Sequence, residues 1–485
     1  MAASRTFLLH RPSRAGKSPF ECRSVPVRPG GNLGRRGAAL CLIGLFALLT
    51  QDGYAADNSP AFLIRSPKHD CVNALITVPV SKAFADKAAA SGVVWELQVE
   101  GSVSISPAPI PCQFQTENGQ AALTFILPYI GKGQTQPYRL CAVPIRKPSR
   151  TGRPESDAVV HVAQVGTDIE IKVGEQLFTR YTTHSGPNKP FFYPILTPDS
   201  QNLTRRWPVE PNADPAESHD HPHHRGLWFT HSSVNGIDFW TEVETDKVKL
   251  GRTVNTGFVS LVSGPVFGEF QAATDWITPE GKRIATDIRT VHVYPLAGGS
   301  RLLDFAIKIK PDGGPLLFGD NKDGVFGLRL PDSLSVNPSV KPTRPGTGHY
   351  INSVGDKDGA AWGKAAEWVD YWGPIGSETW GVAMFDSPQN FRHPQTWHAR
   401  DYSLFTVNPF GLHDFKLGPK DAGNYTVAAD SSLTLHYRML FHRGDNTAAQ
   451  VADQYASYAD PPEVEAHWNG KRPQAPLPPL LRLRR

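Results

Sequence analysis

The stretch A-T-D-I-R-T-V-H-V, residues 285–293, alternates along its length with a period of two. Ile288 and Arg289, then Val291 and His292, fall on opposite faces, which is the pattern of a strand with two unlike sides. Working outward, P-E-G-K at 279–282 has the composition of a turn and separates this run from another strand-like one at 270–277, so the two read as a hairpin. A last long run of the same period, S-L-T-L-H-Y-R-M-L-F, occupies 432–441. Ten or more such runs between residues 157 and 444 have no amphipathic helices between them. That predicts a large antiparallel β-sandwich and argues against α/β alternation.

Before this region, residues 60–148 predict a small β-sandwich domain, with strand-like runs at 74–80, 93–99, 122–127 and 138–143 and one short helix at 81–90. Residues 149–156 have little to bury and read as a linker. After it, Asp445 or Asn446 caps a helix over 445–462 that Pro461 and Pro462 end. Residues 463–485, rich in Pro and Arg, are expected to lack fixed structure. The predicted class is all-β: a small β-sandwich domain, a large antiparallel β-sandwich and one short C-terminal helix.

Residues 1–56 read as a leader. Arg35 and Arg36 precede the uncharged apolar run 38–50, and the small residues Ala55 and Ala56 follow, in the order of a secretory signal. The run is shorter than the roughly 20 apolar residues of a spanning helix. A periplasmic or extracellular location is therefore expected, with no membrane span after signal removal; an uncleaved anchor is the alternative. The leader holds eight Lys/Arg against Glu21 and Asp52, so of a chain total of +4 the remainder carries about −2. No nucleic-acid footprint is left. Outside the leader stand Cys71, Cys112 and Cys141. In an oxidising compartment these read as one disulfide and one free thiol, with the pairing open. The larger domain has no cysteine, which excludes a thiolate nucleophile or thiolate-held metal there.

Three constellations carry chemistry. The first is D-H-P-H-H-R-G, residues 220–226, leading into L-W-F-T-H at 227–231. Pro222 makes the segment a loop, and Gly226 permits a tight junction with the strand. Imidazole serves as an acid or base near neutral pH, and the Arg225 guanidinium can hold an anionic or ketone oxygen. Alternatively His221, His223 and His224, with His398 as a further ligand, could hold a divalent ion such as Zn, Cu, Fe or Ni, although their spacing is no recognised metal motif. A solvated His-rich loop is the plain alternative. The second constellation, A-E-W-V-D-Y-W-G at 366–373, offers Glu367 or Asp370 as a carboxylate. Ordinary cross-strand aromatic pairing explains its tryptophans equally well. The third, R-H-P-Q-T-W-H-A-R-D-Y at 392–402, holds more polar groups than a strand buries without partners, among them His398, Arg400 and Asp401.

With N-G-I-D-F-W at 235–240 and N-P-F-G at 408–411, these motifs resemble, in order and over roughly residues 165–445, a bacterial family labelled "PmoA" of uncharacterised function. The resemblance implies a fold similar to the galactose-mutarotase-like supersandwiches, which frequently handle sugars with His and carboxylate pairs. It carries over no catalytic residues. The methane oxidation that the label implies does not fit a strand-patterned chain without spanning helices.

The expectation is a carbohydrate-active protein of epimerase, lyase or hydrolase type, acting on a sugar or glycan. Its catalytic candidates are His221, His224, Arg225, Glu367 and His398, and its substrate-binding candidates Trp228, Trp240, Trp368, Arg400 and Asp401. A His-ligated metal enzyme on the same pocket and a non-catalytic glycan-binding envelope protein are the alternatives.

Overall fold

The computed structural model describes residues 59–100, 108–117, 119–144, 159–183, 188–245, 248–337 and 346–468. The expected leader, the linker and the tail beyond Trp468 lie outside the described residues. Among those described, no helix is long and apolar enough to cross a membrane.

Two eight-stranded antiparallel sheets form the large domain. The first runs Thr396–Arg400, Leu404–Asn408, Gly324–Arg329, Leu227–His231, Phe191–Ile195, Gln176–Thr182, Asp168–Val173 and Val160–Val165. The second runs Arg252–Val262, Gly268–Ile277, Arg283–Pro295, Arg301–Pro311, Leu433–Arg443, Glu378–Asp386, Trp368–Ile375 and His349–Asn352. Their inner faces share one apolar core. Phe305 of the second sheet stacks on Phe326 of the first with centroids 4.6 Å apart, and Phe326 on Tyr437 at 5.3 Å. Each such fully buried aromatic contributes about 1.5–3 kcal/mol.

The hairpin around residues 279–282 is present, with Trp276 opposite Ala285 and Gly281 at φ 84° in the turn. The alternation of 285–293 is also present, but charge points inward. Ala285, Asp287, Arg289, Val291 and Val293 are buried, whereas Ile288 is 38% exposed. Arg289 donates to Asp287 at 3.0 and 3.2 Å, and the Trp276 indole donates to Asp287 at 2.7 Å. Pairing satisfies both charges, which is what lets an apolar core accept them.

The N-terminal region is a seven-stranded antiparallel sheet in the order Cys71–Val80, Gln120–Ile130, Ile110–Glu117, Val93–Val99, Thr135–Pro144, Ala61–Arg65 and Glu463–His467, with a core of its own. Its helix, Lys82–Ala90, starts where Ser81 Oγ accepts the Phe84 amide at 3.2 Å.

Three expectations need correction. Residues 463–467 do not belong to a structureless tail: they form the strand Glu463–His467, paired along Ala61–Arg65. The helix before it is shorter than 445–462. Asp445 caps a turn through its carboxylate, Gln450 then adopts φ 50°, and regular helix spans Val451–Ala459. This helix docks on the small sheet, where Ser457 Oγ accepts the Val72 amide at 2.7 Å. The chain end thus fastens the two β regions together. The expected disulfide is absent as well, since Cys71, Cys112 and Cys141 are all free thiols. Cys112 and Cys141 lie opposite Trp95 and Glu96 on the two strands flanking Val93–Val99. That separates them by two strand spacings, roughly 9–10 Å, beyond the ~7 Å between Cα atoms that a disulfide spans.

Candidate functional site

The loop 218–226 has no regular secondary structure, so side chains must satisfy its backbone. Arg205, wholly buried, donates to the carbonyls of Trp207 (3.1 Å), Ser218 (3.4 Å) and His221 (2.9 Å) and pairs with Asp220. Arg329, at the end of the strand Gly324–Arg329 and equally buried, donates to the same Asp220 oxygen at 3.0 Å. At the loop's start, the Ser218 amide and hydroxyl both donate to Asp332 Oδ2, at 2.6 and 2.7 Å. Gly226 closes the loop at φ 55°, and a β-carbon there would lie 2.0 Å from the Phe192 carbonyl oxygen. Only glycine fits.

This scaffold fixes three imidazoles in defined tautomers. The second Asp220 oxygen lies 2.8 Å from His221 Nδ1. A carboxylate only accepts, so Nδ1 carries the hydrogen and Nε2 of the neutral ring presents a lone pair. The His221 ring is stacked between His224 (4.7 Å, 5°) and Tyr402 (5.4 Å, 9°). His224 is reversed: Arg329 Nη1 donates to its Nδ1 at 3.3 Å, which leaves the hydrogen on Nε2. His398 matches His224, because the Trp362 indole donates to its Nδ1 at 3.3 Å. Burial, reinforced by neighbouring cations, holds His224 and His398 well below the ordinary imidazole range and pushes His223 down to about 3. All three are neutral at physiological pH.

His398 and Arg400 reach the site through strand alternation. In Thr396–Arg400, Trp397 and Ala399 enter the core, while Thr396, His398 and Arg400 take the opposite face. The turn that follows presents Asp401 and Tyr402. Tyr350, from the edge of the second sheet, donates its hydroxyl to Asp401 at 2.8 Å. Together with Lys322, Asp323, Asn337, Thr241 and Trp362, these residues line a cavity of about 870 Å³ that contains His221, His223, His224, His398, Arg400 and Asp401.

The other expected residues lie elsewhere. Glu367 is exposed, and its charge acts on Tyr455 of the C-terminal helix. Asp370 is buried in the second sheet against His442 at 2.9 Å. Arg225 is occupied by Glu242, whose oxygens it meets at 2.9 and 3.1 Å, beside the buried Lys189. Trp228 and Trp240 are 1% exposed and pack behind the imidazoles; Trp228 stacks on His224 at 5.4 Å. Trp368 is buried in a separate cluster with Phe385 and Leu440. None of these three offers a ring face to a sugar. No group of three His, Cys, Asp or Glu side chains among the described residues is arranged to hold a metal ion. Two of the three proposed ligands, His221 and His224, already spend Nδ1 on Asp220 and Arg329.

Sequence reasoning missed the supporting arginines, Asp220's role and the aromatic lining. One signal was available: Arg329 is the single charged residue in the apolar run V-F-G-L-R-L, and an unexplained charge in a central strand implies a buried partner. Lys322, Asp323 and Trp362 arrive from turns without any such mark.

Comparison with curated proteins gives no match. Among solved structures, the chain resembles a protein in the glycosyl hydrolase family 38 from Enterococcus faecalis, at 8% identity and a TM-score of 0.33, over 87% of this chain and 49% of that one. It resembles an alpha-mannosidase from Enterococcus faecalis V583 at 9% identity and a TM-score of 0.33, over 85% and 46%. The chain spans about half the length of these two structures. Residues 168–456, which include every residue of the cavity, match the model of a family of unknown function (DUF6807), and the chain belongs to that family.

Proposed function

We propose that the cavity is a sugar-processing site in which His221 Nε2 takes a proton from the substrate as general base. Asp220 holds the ring in the tautomer that leaves Nε2 free and stabilises the imidazolium that forms. Nε2–H of His224 and of His398 donate to the oxygen on which negative charge develops. The observation that carries this reading is the opposition of tautomers around one cavity: one imidazole with a bare Nε2 and two with Nε2–H among its lining residues. That is the equipment for proton abstraction with stabilisation of the resulting oxyanion. Epimerisation and β-elimination use it directly. Hydrolysis uses the same base on water. Planar polar groups beside Trp362, Tyr350 and Tyr402 suit the faces and hydroxyls of a sugar ring, and the volume accommodates one or two rings. The reading includes a periplasmic or extracellular setting, from the leader, and kinship with the PmoA-labelled proteins, from the shared motifs.

The test is turnover of a glycan panel by the wild type and His221→Gln, with thermal stability measured on both. Loss of about 10²–10⁴-fold in rate at unchanged stability supports the base. Equal rates overturn it, and binding without turnover by either protein favours a glycan-binding module.

A further inference from the structure

We infer that the cavity takes an acidic sugar and holds its anionic group, a carboxylate or a sulfate ester, against Arg400; this inference rests on the sugar reading above. Strand alternation turns Arg400 toward the cavity rather than the core. Its guanidinium lies over two aromatic rings, 5.9 Å from the Trp362 centroid and 5.4 Å from that of Tyr402. Cation–π attraction to the two rings holds the guanidinium beside them without using its N–H groups. Among the described residues Arg400 makes no ion pair and donates no side-chain hydrogen bond. Of the two carboxylates that share the cavity, Asp323 pairs with Lys322 at 3.2 Å, while Asp401 accepts the neutral Tyr350 hydroxyl at 2.8 Å and makes no ion pair with Arg400. The Arg400 guanidinium is therefore left without a bonded partner among the described residues, half-buried beside the two rings.

Around the cavity the protein gives the other guanidinium groups a partner. Arg205 and Arg329 share Asp220, and Arg225 holds Glu242. Arg400 is the exception, and a planar fork on an aromatic bed is matched by an oxyanion bound through two parallel N–H bonds. Nε2–H of His398, two residues away on the same face, adds a neutral donor beside it. The same arrangement gives the anion a chemical purpose. A proton alpha to a carboxylate is more easily removed when cation and donors neutralise the carboxylate, and His221 supplies the base.

The test is calorimetric titration of the full chain with glucuronate, galacturonate, glucose 6-sulfate, glucose, galactose, inorganic sulfate and malonate, repeated on Arg400→Gln and Arg400→Lys. Thermal unfolding serves as the control for folding. Charge-assisted pairing predicts that an acidic sugar binds roughly 10–100-fold more tightly than its neutral parent. Arg400→Gln should erase that preference and leave the neutral sugar within about threefold, whereas Arg400→Lys retains part of it. Preference for the uronates over the sulfate identifies the anion as a carboxylate, and the reverse identifies a sulfate ester. Equal affinity for acidic and neutral sugars, or a preference that survives Arg400→Gln, overturns the anion site and leaves the sugar reading standing. Arg400-dependent binding of inorganic sulfate or malonate, with no sugar bound, keeps the anion site and overturns the sugar reading. Binding of none of these probes overturns both.

Discussion

Replacing Asp220 by Asn separates the site's electrostatics from its shape. The side chains of Arg205 and Arg329 have no solvent exposure, and that of Asp220 is 9% exposed. The carboxylate is the shared counter-ion of both, so Asn leaves two buried guanidinium groups facing a neutral amide of the same size. Removing one partner of a buried pair costs roughly 3–5 kcal/mol. Asn retains one acceptor oxygen, which places the expected loss near about 3 kcal/mol, roughly a hundredfold in the folding equilibrium. Ala, which also leaves a void, should reach about 5 kcal/mol. Because Arg205 also anchors the carbonyls of Ser218 and His221, the damage should concentrate in the loop. Urea unfolding followed by tryptophan fluorescence gives the magnitude, and amide exchange of residues 218–226 gives the location. A change below about 0.5 kcal/mol, the size of an ordinary surface substitution, would refute the claim that Asp220 neutralises two buried arginines.

Gly226→Ala forces a β-carbon against the Phe192 carbonyl at φ 55°; left-handed strain and overpacking together predict a loss of about 2–5 kcal/mol in urea unfolding. His231, fully buried, donates Nε2–H to the Gly319 carbonyl at 2.7 Å, and burial holds it down to about 4, against an ordinary 6.5. The unfolded chain therefore binds a proton that the folded chain refuses between pH 6.5 and 4. The His231 contribution should be complete above pH 6.5 and fall by about 3 kcal/mol as pH drops to 4, alongside that of the other buried imidazoles, and His231→Gln should remove its part of the slope in urea titrations across that range. Truncation after Asp460 strips Glu463–His467 from the sheet edge and removes Trp468 from its edge contact with Phe62 at 5.6 Å. Protection of amides in Ala61–Arg65 should fall, with a loss of roughly 2–5 kcal/mol.

What could be read in the sequence followed from periodicity. The hairpin around residue 280, the helix after Ser81 and the sandwich all rest on period-two runs and turn residues, which local sterics determine. Register and facing were less legible. Residues 285–293 alternate as expected, yet the inward set includes Asp287 and Arg289, because they pair with each other while Trp276 donates to Asp287 and Arg289 donates to the Tyr181 hydroxyl. A long-range partner is invisible to a local pattern. The terminal strand was missed for the same reason: its neighbour lies about 400 positions earlier, and a short polar E-V-E-A-H becomes a strand only beside that edge. At the site, the clustered motif D-H-P-H-H-R-G and the alternating T-W-H-A-R placed His221, His224, His398 and Arg400 in one cavity. Glu367 fell outside because a carboxylate near a strand's start faces whichever side the register selects. Trp228 and Trp240, expected to bind substrate, have no wet side, because the strand and loop that carry them turn both rings inward.

The central claim is that one imidazole offers a lone pair to the cavity while two others offer N–H, and nitrogen-15 chemical shifts of the histidine rings test it most directly. With signals assigned by His221→Gln, His224→Gln and His398→Gln, the account predicts at neutral pH that neutral His221 carries its hydrogen on Nδ1 with Nε2 bare. His224 and His398 should be uncharged and carry theirs on Nε2. A His221 ring protonated at Nε2 alone, or a His224 or His398 ring that is charged or protonated at Nδ1, would contradict it.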